Sequence, residues 1–336
     1  MKNILSYPLL MGALLVLTIG GCKEQPTEPA APTAPTIEAQ VLLSYLETTG
    51  DYVNALAPSV ITAVDVRTNM LSNPSKQYVI DIRSAADFAV GHIEGAKNVT
   101  LATLLTHVKS ITATNYDRIV IACASGQTSA YGASLLRLMG YNNVYSLKFG
   151  MASWTTQFAT TTWKANIGNG RANDFTPTVT AKNAAGDLPT ISTGKTTGPE
   201  ILEARVNDLL AAGFSTATVT NSALFAGLGN YFIVCYWPAT EYTDPGHIPG
   251  AVNYVPKSDL KSSVALRTLP TNKPVVIYCY TGLTSAYVVA YLRVLGYDAK
   301  LLLYGANAMI YDKMVAKNMP VFKDSEIKEY STITGN

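Results

Sequence analysis

One pattern occurs twice in this chain and limits what it can fold into. Ile121-Ala122-Cys123-Ala124-Ser125-Gly126-Gln127-Thr128-Ser129 returns as Ile277-Tyr278-Cys279-Tyr280-Thr281-Gly282-Leu283-Thr284-Ser285. Each copy opens from a short apolar run, Arg118-Ile119-Val120-Ile121 or Pro274-Val275-Val276-Ile277, that reads as a buried strand. Each then passes Cys-x-x-Gly-x-Thr-Ser and enters a Leu- and Ala-bearing stretch of helical length, which stops at Gly140-Tyr141 or Gly296-Tyr297. Strand, tight loop and helix form the unit, with a cysteine at the strand end and hydroxyl residues at the helix start.

That geometry suits reactive sulfur. A loop feeding a helix N-terminus turns unpaired N–H groups inward, and the helix dipole adds partial positive charge there. Cysteines so placed serve as nucleophiles. Neither loop contains Asp or Glu, so nothing acidic opposes an anion. Gly126 and Gly282 let the backbone curl or pass close to a bound group. Thr128 and Ser129, and Thr284 and Ser285, are expected to cap the two helices. A buried strand cysteine ahead of an ordinary capped helix is the plainer reading of one copy, and the duplication argues against it.

Met1–Gly21 stands apart from the fold. Lys2 supplies a positive start, residues 4–19 are apolar, and small residues precede Cys22. The segment resembles a bacterial lipoprotein signal, with Ile19-Gly20-Gly21-Cys22 where the lipobox lies and Ile19 in place of the usual Leu. The resemblance implies cleavage before Cys22, acylation of that cysteine and stable anchoring. An uncleaved anchor or a plain secretory signal is the alternative. Lys23 does not resemble an inner-membrane retention signal, so the expected location is the outer membrane facing the periplasm, with the cell surface as the alternative. Residues 22–36, rich in Pro, Ala, Thr and Glu, suit a tether.

The rest of the chain divides into residues 37–165, a Thr-, Asn- and Gly-rich connection at 166–198, and residues 199–336. Hydrophobic residues make up 48% of the chain, enough for a core in each part, and the net charge of +2 gives no basic bias toward nucleic acid. Beyond Cys22 the cysteines are Cys123, Cys235 and Cys279, an odd, sparse set that makes no disulfide framework. Three histidines and three scattered cysteines make no metal-ligand set, and no cofactor is expected.

Strands alternating with helices predict a parallel α/β sheet in each half. The first half runs through the strand Gln77–Arg83, the turn Ala86-Asp87-Phe88, then Gly91-His92-Ile93-Glu94-Gly95-Ala96 before the Cys123 loop. The second repeats it with Tyr231–Trp237, Thr240-Glu241-Tyr242, and Gly246-His247-Ile248-Pro249-Gly250-Ala251 before the Cys279 loop. Gln127 and Thr128, opposite Leu283 and Thr284, predict a more polar first mouth. Tyr131 and Tyr287 are candidates for the rim, and His107 for a surface position.

These landmarks, in order and duplicated, resemble a tandem rhodanese, the sulfurtransferase fold, over residues 37 to about 320. The resemblance implies two small parallel sheets flanked by helices. It implies a thiolate that takes sulfane sulfur from a thiosulfate, polysulfide or persulfide donor, holds it as a persulfide, and passes it to a thiol or other nucleophile. Cys123 and Cys279 would carry the sulfur, the first being the better supported. The amides of Ala124, Ser125, Gly126, Gln127, Thr128 and Ser129, and of Tyr280, Thr281, Gly282, Leu283, Thr284 and Ser285, would cradle it. Partners implied are a small sulfur donor, a thiol acceptor, the membrane through the lipid anchor, and an envelope redox protein.

Several departures qualify the match. Rhodanese loops often carry Arg where this chain has Thr128 and Thr284, which removes a bidentate grip on an oxyanion donor. Phosphatases of related fold have a longer loop ending in Arg, so phosphatase chemistry does not fit. Asp81 and Arg83, expected as scaffold, are replaced by Cys235 and Trp237 in the second half, which puts its rigidity in question. His92 and His247 are expected to brace their turns. The commoner role for Cys235 is a small buried hydrophobe; the other is a thiol resolving a Cys279 persulfide or pairing with it. A non-catalytic sulfur-binding or partner-docking module of the envelope remains the alternative function.

Overall fold

The computed structural model describes residues 37–335; the signal-like segment, Cys22 and the tether lie outside them. Two five-stranded sheets account for the described strands, one in each lobe, and every pairing within them is parallel. The first contains β1 (Val60–Ile61), β2 (Gln77–Asp81), β3 (Lys97–Asn98), β4 (Arg118–Ala122) and β5 (Val144–Leu147), in the order β1-β5-β4-β2-β3. The second contains β6 (Thr218–Val219), β7 (Phe232–Cys235), β8 (Val252–Asn253), β9 (Val275–Tyr278) and β10 (Ala299–Leu302), in the same relative order. The central strands β4 and β9 are almost wholly buried, as continuous apolar runs between two helical layers must be.

The loop-bearing strands lead into helices Gln127–Leu138 and Leu283–Val294, which pack on each other across the lobe boundary. Small and apolar residues all round, including Gly132, Ala133, Ala286 and Ala290, let each helix be covered on nearly every side. Ser134 Oγ donates to the carbonyl of Tyr287 at 3.0 Å, and the Tyr287 hydroxyl donates to the carbonyl of Ser59. One apolar cluster therefore runs through both lobes. Tyr131 and Tyr287 lie inside it with no exposure, so they do not line a rim; docking of the lobes covers them.

Each lobe also reaches around the other. Past the helical turn Trp163–Asn166, the 166–198 segment runs over the second lobe: Gly168 N–H donates to Asn307 O, Thr176 bridges His247, and Thr180 bridges Val252. Past Phe322 the chain runs over the first lobe: Lys328 N–H donates to Ser153 O, Tyr330 N–H to Trp154 O, and Ile333 bridges His92. The two straps are counterparts, each closing on the other lobe's Gly-His-Ile loop. Main-chain bonds and scattered polar side-chain contacts, Lys182 on Asp259 at 2.9 Å and Lys148 on Glu326 at 2.9 Å among them, hold them, so a Thr- and Asn-rich run without apolar periodicity can be ordered there.

Candidate active site

Each cysteine sits one residue beyond its central strand. Cys123 is 4% exposed and Cys279 1%. Around Cys123 Sγ the N–H of Gly126 lies at 3.1 Å, that of Ser129 at 3.3 Å and the Ser129 hydroxyl at 3.4 Å. Around Cys279 Sγ the N–H of Ser285 lies at 3.4 Å and its hydroxyl at 3.3 Å. Both helices begin immediately after a left-handed glycine, Gly126 (φ 87°) and Gly282 (φ 81°), with no side-chain cap. The expected capping by Thr128, Ser129, Thr284 and Ser285 is thus corrected. Glycine shortens the turn by allowing positive φ, the helix starts earlier, and Ser129 and Ser285 point back at sulfur.

The loops are braced from behind. A Cβ on Gly150 would stand 2.2 Å from Cys123 O and 2.6 Å from Gly126 N; on Gly305 it would stand 2.4 Å from Cys279 O. Those two glycines follow β5 and β10, and their lack of a side chain lets the main chain support the sulfur loop. The loops also touch each other. Gln127 is 1% exposed and donates Nε2–H to Thr281 O at 3.0 Å, while Leu283 presses on Gly126. Gln127 therefore does not make the first mouth polar, because its amide is spent between the lobes. Trp163 covers part of the first loop, with Nε1 donating to Ser125 O at 3.0 Å, and Tyr304 from the second lobe meets its ring edge-on at 5.0 Å.

A scan against protein-family models matches the rhodanese-like domain twice, at residues 62–157 and 235–310. The chain belongs to the rhodanese-like family. Among curated rhodanese-like relatives, the thiosulfate sulfurtransferase GlpE of Pseudomonas fluorescens is 33% identical over 95 residues, covering 28% of this chain and 80% of that one. The corresponding protein of Ectopseudomonas mendocina is 33% identical over 88 residues, covering 25% and 75%. Among solved structures, the thiosulfate sulfurtransferase of Pseudomonas aeruginosa spans 87% of this chain and 70% of its own at 16% identity, with a TM-score of 0.29. A rhodanese-related protein of Thermoplasma volcanium spans 31% and 96% at 21% identity, with a TM-score of 0.25.

The two rhodanese-like lobes support their loops differently. In the first, Arg83 grips the Asp81 carboxylate at 2.6 Å and the Gly91 carbonyl at 2.7 Å, tying the end of β2 to the histidine loop. In the second, Trp237 stacks on Tyr280 (centroids 5.4 Å, 17° between planes) and meets Tyr278 edge-on. The aromatic stack stands where the ion pair would be. Asn98 and Asn253, whose role escaped the sequence reading, secure the strand ends in both lobes. Asn98 Nδ2 donates to Asp81 O and Arg83 O at 3.0 Å each, and Asn253 Nδ2 to Cys235 O and Trp237 O at 3.2 and 2.9 Å. Their recurrence just past the two Gly-Ala pairs was the available signal.

His92 and His247 stack on Phe88 and Tyr242 at 3.6 and 3.5 Å, and their Nδ1 atoms bond Phe88 O and Tyr242 O. Burial lowers the His247 pKa from its ordinary value. His107 is half-buried against the Tyr78 hydroxyl at 3.0 Å rather than free on the surface. Cys235 and Cys279 are free thiols within one apolar cluster. Burial pushes the Cys235 thiol far up, which keeps it protonated and a poor attacking group.

One cleft of about 580 Å³ opens on the second loop. Tyr280, Thr281, Leu283 and Thr284 form one side, Val60, Thr62, Lys148 and Phe149 of the first lobe another, and Met319, Pro320 and Lys323 close it. Lys148 pairs with Glu326 at 2.9 Å across its edge. The cleft beside the second loop is thus built by both lobes, and its volume lies in the range of small-molecule sites.

Proposed function

We propose that the protein is an envelope-anchored sulfurtransferase. A cysteine in each loop takes sulfane sulfur from thiosulfate, a polysulfide or a persulfide and hands it to a thiol or another nucleophile. The observation that carries this reading is the seat of Cys123 Sγ, with main-chain N–H groups at 3.1 and 3.3 Å. It lies at a helix N-terminus, where negative charge is stabilised. Such a seat suits sulfur both as nucleophile and as leaving group, so one arrangement serves both loading and discharge. The thiosulfate sulfurtransferase relatives support the same chemistry. With Thr128 and Thr284 in place of a loop Arg, neutral or protein-borne polysulfide donors fit as well as thiosulfate does.

Intact-mass measurement after donor exposure tests the reading: additions of about 32 Da are expected. Cys123→Ser and Cys279→Ser should each lose one addition and the double variant both; a chain that takes up no sulfur from any donor is a binding module instead. Anchoring rests on the signal-like Met1–Gly21 and Cys22. A Cys22→Ser protein recovered in the aqueous phase of a detergent partition, with wild type in the detergent phase, is the expected result.

A further inference from the structure

The residue after the cysteine is an exposed alanine, Ala124, in the first loop and Tyr280 in the second. Tyr280 borders the 580 Å³ cleft beside Thr281 and Thr284. Its hydroxyl donates to the carboxylate of Glu241, on the short helix Ala239–Thr243. The first lobe has a carboxylate at the same place, Asp87, but it is engaged by the Ser84 hydroxyl at 2.6 Å in a helix cap. In the second lobe Pro238 stands where Ser84 does, offers no hydroxyl, and leaves Glu241 to turn toward the cleft-side phenol. Burial, then the bond to Glu241 and the charges of Glu241 and Cys279, push the Tyr280 pKa far up. The phenol therefore stays a donor at neutral pH, on the residue that directly follows Cys279 in the loop.

We propose that Tyr280 and Glu241 act together as the proton acceptor for a thiol substrate attacking the persulfide on Cys279. The inference rests on the sulfurtransferase reading above. A thiol R–SH in the cleft gives its proton to the Tyr280 oxygen as the phenol passes its own to Glu241. The R–S⁻ so formed attacks the terminal sulfur of Cys279–S–SH. An R–S–SH bond forms, the Cys279 S–S bond breaks, and the electron pair leaves on the Cys279 thiolate. One S–S bond replaces another, so no oxidant or reductant is consumed, and Glu241 then sheds the proton to water. The first loop, with Ala124 and a capped Asp87, has no such pair and suits acceptors that arrive already ionised.

The test uses the full-length Cys123→Ser protein, loaded with sulfur on Cys279 and discharged in single turnovers at a pH at least about two units below the pKa of the thiol acceptor, where no more than about 1% of it is already thiolate. Discharge by 2-mercaptoethanol is compared with discharge by sulfite, which needs no proton removed. Glu241→Gln and Tyr280→Phe should each lower the thiol-to-sulfite rate ratio by about 100-fold, the scale of lost general-base assistance. Tyr280→Phe keeps the ring on Trp237, so a purely structural role would slow both acceptors together and leave the ratio where it was, overturning the proposal. In Cys279→Ser protein loaded on Cys123, the same substitutions should leave the ratio unmoved; an equal fall there would also overturn it. Should Cys279 fail to load at all, the carrier role of this loop fails, and the proton pair with it.

Discussion

Gln127 and Thr281 join the two sulfur loops: the side-chain amide of the first donates to the main-chain carbonyl of the second at 3.0 Å, with Gln127 buried. The backbone behind one cysteine is thereby positioned by the backbone behind the other, although the two lie far apart in sequence. Neither lobe's loop is complete on its own surface.

Gln127→Ala removes that bond and leaves the Thr281 carbonyl buried without a partner. The expected cost is about 1–3 kcal/mol, the penalty of an unsatisfied buried group. A urea titration reads it as a lower midpoint. Sulfur loading should weaken at Cys279 as well as at Cys123, which site-resolved mass spectrometry would detect.

Gly150→Ala should disable the first loop and Gly305→Ala the second. At each position φ is left-handed and a Cβ would meet the cysteine carbonyl, at 2.2 and 2.4 Å. Left-handed strain alone costs about 1–2 kcal/mol, and the clash with rigid backbone adds to it. Loading is expected to fall at least about tenfold at the cysteine on the same lobe, a loss worth about 1.4 kcal/mol. Equal loss at both cysteines would count against local bracing.

Arg83→Leu strands the carboxylate of Asp81, whose side chain is 0% exposed. Breaking a buried pair from one side costs about 3–5 kcal/mol. The double variant Asp81→Leu/Arg83→Leu should recover much of that, because no charge remains to be desolvated. Thermal or chemical denaturation of the single and double variants gives the comparison directly.

His247 should make the protein acid-sensitive. Burial lowers its folded-state pKa, so the unfolded chain binds the proton more readily. Stability from this group is full above the unfolded value of about 6.5 and is lost as pH falls below it. Burial lowers the His107 pKa as well, in the same sense. His247→Asn should lower stability near neutrality yet make the decline between about pH 7 and pH 5 shallower. Urea midpoints across that range would settle it; an unchanged slope would assign the acid limb elsewhere.

Much of the candidate site's local geometry was legible because its determinants are local. Cys123 and Cys279 each follow an apolar strand and precede a glycine that starts a helix, and those relations lie within nine residues. The bracing histidines were legible for the same reason, each bonding a carbonyl four or five residues back. Where local sequence misleads, a distant partner intervenes. Local sequence puts Gln127 at a polar mouth and Tyr131 and Tyr287 at a rim, but lobe docking encloses all three. Glu241 looked like a plain counterpart of Asp87, until Pro238 and Tyr280 redirected it.

Hydrophobic period, strand-ending cysteines and left-handed glycines act over a few residues, so the amino-acid order alone was enough to set two parallel α/β lobes and two sulfur loops. The pairing of those lobes was settled only by packing. Straps held by main-chain bonds and by single side chains reaching remote residues leave no period to read, and a cleft enclosed by Tyr280, Lys148 and Met319 exists only once three remote segments meet. Burial and long-range hydrogen bonding belong to the assembled core, and they decided what surrounds each cysteine loop.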